Sequence, residues 1–85
     1  MHSKSAITLD QLPAQAVAII HRIREHTHDG QALRRRLLEL GFVPGERVQV
    51  LRRMLTGGGP LAVRVGGSTF AMRGLESSLI EVVPS

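Results

Sequence analysis

The chain has 85 residues, 42% of them apolar, with a formal charge of +4 from 11 basic and 7 acidic side chains. This is enough for one compact core and too little for two domains, and it argues against disorder over most of the length. There is no cysteine, so disulfide staples and thiolate metal sites are excluded, and no apolar run approaches the roughly 20 residues that cross a bilayer.

Residues 1 to 7 read as a loose N-terminal tail, with a single domain expected over 8 to 85. The stretch MHSKSAITLDQLP is too polar for the apolar segment of a signal peptide, so a soluble cytoplasmic protein without direct membrane insertion is expected. Thr8 and Gln11 have capping-box spacing, which predicts one helical turn before Pro13. Gln15 to Arg24, QAVAIIHRIR, is rich in β-branched residues and predicts a strand partly covered on both faces. Strict alternation would put Val17, Ile19, His21 and Ile23 on one face, and would give His21 a buried or half-buried packing role.

EHTHDG, residues 25 to 30, is polar and turn-prone, with Asp29 a good helix N-cap. A helix is predicted from about Gly30 to Leu40, with Leu33, Leu37 and Leu40 on one stripe and Arg35, Arg36 and Glu39 pointing away. Leu38 lies off the stripe and is expected to stay partly exposed. Gly41 follows where a helix ending needs positive φ, and Phe42 sits where a Schellman ending would bring it onto Leu37. Val43-Pro44-Gly45-Glu46 has the signature of a type II turn, with proline presetting φ and glycine supplying the positive φ. It launches a strand over Arg47 to Met54, with Val48 and Val50 inward.

TGGGP, residues 56 to 60, reads as a loop. A phosphate-binding loop would need a lysine and a Ser or Thr leading into a helix; here Pro60 and a strand follow. Leu61 to Val65 alternates cleanly, Gly66-Gly67 is a two-residue hairpin signal, and Thr69 to Arg73 returns with Phe70 and Met72 inward. Gly74 to Ser78 can make one helical turn, and Leu79 to Val83 closes the chain as a strand with Ile80 and Val82 inward. The order β-α-β-β-β-β, in so few residues, predicts a mainly β fold with one inserted helix. A small SH3-like barrel fits best, because closure removes sticky edges.

The chemistry on offer is sparse. His26 and His28 form H-x-H beside Glu25 and Asp29, a candidate for weak divalent-metal binding, but no third ligand stands at a diagnostic spacing. Ten of the eleven basic residues are arginine, and Arg34-Arg35-Arg36 and Arg52-Arg53 can reach phosphates. Single-strand binders usually add exposed aromatic platforms, whereas Phe42 and Phe70 read as core, which argues against nucleic acid. The carboxylates are scattered, tyrosine is absent, and no serine stands in a nucleophile-elbow context. A binding module is therefore expected rather than an enzyme.

The run RRRLLELGFVPGERVQVLRR, then GGPLAVRVGGSTFAMR, then LIEV, resembles the FeoA family, ferrous iron transport protein A. The matching positions are Leu40, Gly41, Phe42, Pro44, Gly45, Pro60, Leu61, Met72 and Arg73, and the resemblance spans about residues 8 to 83. Two positions depart from the family pattern: Gly59 replaces a frequent aspartate, and Ala14-Gln15 follows Pro13 where many members have a glycine.

The resemblance implies an SH3-like barrel without catalysis or cofactor, acting as a cytoplasmic accessory to ferrous-iron uptake. The partner it implies is a FeoB-type transporter with a cytoplasmic GTPase domain. The candidate partner-binding residues are Arg35, Arg36, Leu38 and Glu39 on the helix and Gly57, Gly58 and Gly59 in the loop. Leu40, Gly41, Phe42, Pro44 and Gly45 are assigned to structure. Other readings of the residues are a small basic barrel on nucleic acid, a metal module at His26 and His28, and a homo-oligomer joined through Leu38.

Overall fold

The structure, a computed structural model, describes residues 5–25, 30–53 and 60–85. His26 and His28, the Asp29 cap and the Gly57 to Gly59 loop lie outside the described residues. Six antiparallel strands form one sheet: β1 (Ile7–Thr8), β2 (Val17–Ile23), β3 (Arg47–Arg53), β4 (Leu61–Val65), β5 (Ser68–Met72) and β6 (Ile80–Pro84). Their spatial order is β1-β6-β2-β3-β4-β5. Helix α1 (Gly30–Leu40) links β2 to β3, and the one-turn helix α2 (Gly74–Ser77) links β5 to β6. A 3-10 turn at Leu9–Gln11 follows β1 and touches α2, so these two turns face each other between the sheet's two ends.

The core is the inward face of the curled sheet. Ala18, Ile20, Val48, Val50, Leu61, Val63, Val65, Ile80 and Val82 are buried on it, and Leu9, Leu12, Leu37 and Phe42 fill it from the connections. The alternation read from β3, β4 and β6 therefore holds. Thr8 donates its backbone N–H to Gln11 Oε1 at 3.2 Å, as the capping-box spacing predicts. Ile7, which the sequence placed in a tail, instead pairs with Val82 at the edge of the sheet.

The connection after α1 follows its local chemistry closely. Gly41 has φ +116° and donates to Leu38 O at 3.0 Å, while Phe42 donates to Leu37 O at 3.0 Å. Those two bonds are the Schellman pattern. Glu46 N–H donates to Val43 O at 3.0 Å with Gly45 at φ +94°, which is the type II turn. The turn is tied to β2 as well: Gly45 donates to Ile20 O and Ile20 donates to Glu46 O. The β4–β5 hairpin closes through Gly66-Gly67 with Gly66 at φ +59°.

Three expectations need correction. First, β2 carries a bulge: Ile20 opposes Val82 and Arg22 opposes Glu81, leaving His21 as the extra residue. The bulge resets the alternation, so Ile23 is buried and Arg22 faces outward. His21 is exposed rather than packed, because the covered face of β2 is the one that carries Ala18 and Ile20. Second, Gln15 is not in the strand. It sits third in a Pro13–Ala16 turn at φ +73°, where a glycine would be free of strain. Its N–H donates to Val50 O at 2.6 Å and its Nε2 donates to Leu51 O at 2.5 Å, contacts that offset the roughly 1 kcal/mol cost of a left-handed residue. Third, Leu40 is 39% exposed. The core-facing line of α1 runs through Leu37 with Leu33 and Leu38 packed on its flanks, which turns Leu40 outward.

A second bulge, at Leu51 in β3, gives Arg53 its place. The Arg53 guanidinium donates to Asp10 O at 2.5 Å and Leu12 O at 3.1 Å, tying the 3-10 turn to β3. Its hydrogen bonds thus go to backbone carbonyls of its own chain. Arg53→Ala should cost about 1 kcal/mol, read as a lower denaturant midpoint at unchanged slope.

Candidate functional site

Among the described residues no cluster of three His, Asp or Glu side chains is placed to hold a metal ion, and no helix is long and apolar enough to cross a membrane. What the fold does present is a groove of about 170 Å³ between the C-terminal half of α1 and the β5–α2 segment. Its floor is aromatic and thioether: Phe42 and Phe70 have ring centroids 5.6 Å apart at 50°, and Met72 lies beside them. Leu37 and Leu40 form the helical wall. Leu40 keeps 39% of its surface exposed, so the groove has an accessible apolar wall.

Two charges line it, and they differ in freedom. Glu76 is engaged: its Oε1 accepts the Arg73 backbone N–H at 2.8 Å and lies 3.8 Å from Arg73 Nε. Arg36 has no acidic partner among the described residues. The groove also runs along β5, which among the described residues has β4 as its one partner in the sheet. An edge strand offers backbone donors and acceptors to an incoming extended segment. Apolar floor, exposed guanidinium and edge strand together suit protein docking rather than bond chemistry.

A family model for the FeoA domain matches residues 7–84. The chain belongs to the FeoA family. The zinc complex of FeoA from Stenotrophomonas maltophilia, described as an SH3 domain protein and a candidate ferrous iron transport activating factor, is 39% identical with a TM-score of 0.79. That match covers 94% of this chain and 91% of that one. FeoA from Chlorobium tepidum is 32% identical with a TM-score of 0.77, over 92% of this chain and 70% of that one. A manganese-dependent transcriptional repressor shares the fold at 19% identity and a TM-score of 0.80, with all of this chain covering 45% of that one. No curated protein sequence matches the chain. The SH3-like barrel and the link to ferrous iron transport follow from the family.

In this FeoA domain the sequence-selected helix residues separate. Arg35, Arg36 and Glu39 are exposed, and of these Arg36 reaches the groove. Leu38 is half-buried against the core. Gly41, Phe42, Pro44 and Gly45 form the ending and turn already described, and Phe42 also floors the groove. The sequence reading missed Leu40, Phe70, Ala71, Met72 and Glu76 as members of one surface.

Proposed function

We propose that this FeoA protein is a non-enzymatic cytoplasmic accessory to ferrous-iron uptake that docks on the cytoplasmic GTPase-containing region of a FeoB-type transporter. The observation that supports this reading is the groove walled by exposed Leu40 and by Arg36, which has no acidic partner among the described residues, beside strand β5 at the sheet edge. Leu40 is the apolar anchor, and Arg36 with neighbouring Arg35 supplies the charge. The basic surface raises the association rate and selects an acidic counterpart. Docking changes the transporter's nucleotide cycle in so far as the domain binds one nucleotide state more tightly than the other.

The test is direct binding to the soluble cytoplasmic domain of the cognate transporter, with GDP and with a non-hydrolysable GTP analogue. Arg35→Glu combined with Arg36→Glu should weaken binding about tenfold while the melting temperature stays put, because both side chains are exposed. Unchanged affinity would remove Arg35 and Arg36 from the interface.

A further inference from the structure

The outward face of the sheet, away from the groove, holds a second cavity of about 280 Å³ lined by Val17, Glu46, Arg47, Gln49, Arg64 and Gly66. Its geometry follows from the register. Val17 on β2 opposes Gln49 on β3, and Gln49 opposes Arg64 on β4. Arg47 lies two residues before Gln49 on the same face, opposite Ile19, which is 38% exposed. Arg47 is thus the diagonal neighbour of Arg64, and Ile19 stands directly across from Arg47, so the three mark a bent line over β4, β3 and β2.

Neither Arg47 nor Arg64 makes an ion pair among the described residues, although Glu46 lines the same cavity. Like charges on neighbouring strands repel, so the pair brings nothing to folding. Gln49 is held in place because its Nε2 donates to Gln15 O at 3.1 Å. Guanidinium forks are suited to carboxylates, and the aliphatic surface of Ile19 and Val17 beside them suits the rest of a peptide.

Spacing narrows the ligand. Diagonal neighbours on antiparallel strands, as Arg64 and Arg47 are, stand about 7–8 Å apart, and directly opposed residues, as Arg47 and Ile19 are, about 5 Å apart. Alternate residues of an extended peptide stand about 6.6 Å apart and point the same way. We infer that this face docks an extended acidic segment of a partner protein, with carboxylates at alternate positions over Arg64 and Arg47 and an aliphatic side chain two residues further on over Ile19. The inference rests on the reading of the chain as a docking module, but it shares no residue with the groove.

The probe is the capped pentapeptide Glu-Ala-Glu-Ala-Leu, titrated into the isotope-labelled protein at millimolar concentration with no transporter present. The amides of Gln49, Arg64 and Gly66 should shift, and those of Phe70 and Met72 should not. Arg47→Gln combined with Arg64→Gln should weaken the peptide about tenfold, and Glu46→Gln should strengthen it about twofold by removing a repulsive charge. All three side chains are exposed, and unchanged melting temperatures keep the comparison clean. The inference fails if the same face stays silent, if Gln-Ala-Gln-Ala-Leu shifts it equally, or if inorganic phosphate binds there as tightly as the peptide. Peptide binding without transporter binding would leave this face standing and overturn the transporter assignment; the reverse result would overturn this face alone.

Discussion

Gly41→Val should destabilise the protein by about 3 kcal/mol, a loss of about 12–24 °C in Tm for a domain of this size. The reason is conformational. Gly41 holds φ +116°, beyond even the left-handed helical region, and a β-branched residue is strongly disfavoured there. Crowding is a minor part of it, since a Cβ on Gly41 would meet Val65 Cγ1 at 3.8 Å, an ordinary contact. If the backbone relaxed to negative φ instead, the two bonds that end α1 would break and Phe42 would leave the core. Gly41→Ala separates the two causes: it should retain most of the penalty, because the strain belongs to φ and not to side-chain volume. A Gly41→Val protein that melts with the parent would refute the Schellman account.

Neutralising Glu81 ranks second. Glu81 stands at an outward position of β6 yet is 8% exposed, because Arg22 and Arg24 cover it. Its Oε2 accepts from Arg24 Nε at 2.6 Å and lies 3.2 Å from Arg22 Nε. The Arg24 hydrogen bond, aided by Arg22, holds this carboxyl below the usual glutamate range against the opposing effect of burial. Glu81→Gln keeps the shape and loses the charge, and should cost about 2 kcal/mol at neutral pH.

The pH dependence carries the same signature. A depressed native pKa contributes stability that is fully present above the ordinary glutamate value, about 4.3, and is lost as pH falls through the lower native value. The parent should therefore lose more stability than Glu81→Gln between about pH 5 and pH 2, and the two should converge in acid. Equal slopes for the two proteins would mean that the arginines contribute nothing to Glu81 in the fold. The asymmetry of exposure sets which partner matters: Arg22 and Arg24 side chains keep 64% and 40% of their surface and return to water cheaply, whereas the carboxylate cannot.

The bulge at His21 makes this cluster. Without it, His21 would oppose Glu81, Arg22 would turn into the core and Ile23 would turn out. Unbroken alternation through VAIIHRI puts Ile23 beside Ile19 and His21 and so misplaces Arg22 and Ile23, whereas His21 is misread because the face it shares with Ile19 is the uncovered one. A bulge has no reliable sequence mark, since its position depends on which partner strand lies alongside. The same holds for Leu51 and Arg53 in β3, where the change of register aims an arginine at the carbonyls of Asp10 and Leu12.

The candidate surfaces divide in the same way. The helix bounds Gly30 to Leu40 were readable, and so were exposed Arg35, Arg36 and Glu39. That Leu40 rather than Leu38 is the more exposed leucine was not readable. The leucine pattern defines a stripe, but which line of α1 meets the core, here Leu37 with Leu33 and Leu38 on its flanks, decides that Leu40 turns outward. Phe70 is half-buried rather than core because it sits on an edge strand with α1 beside it instead of another strand.

By itself the sequence determined the local devices: the ending of α1 at Gly41, the turn at Pro44-Gly45, the hairpin at Gly66-Gly67, the inward rows of β3, β4 and β6, and the family. Each depends on the φ preference of one or two residues or on a period of two, and these act over a few bonds. Only the tertiary structure decided the pairing of Ile7, the two bulges, the burial of Glu81, the left-handed Gln15 and the meeting of α1 with β5 and α2. Those features are settled by which strands and faces share the one core, a competition among contacts far apart in the chain that no short stretch of residues encodes.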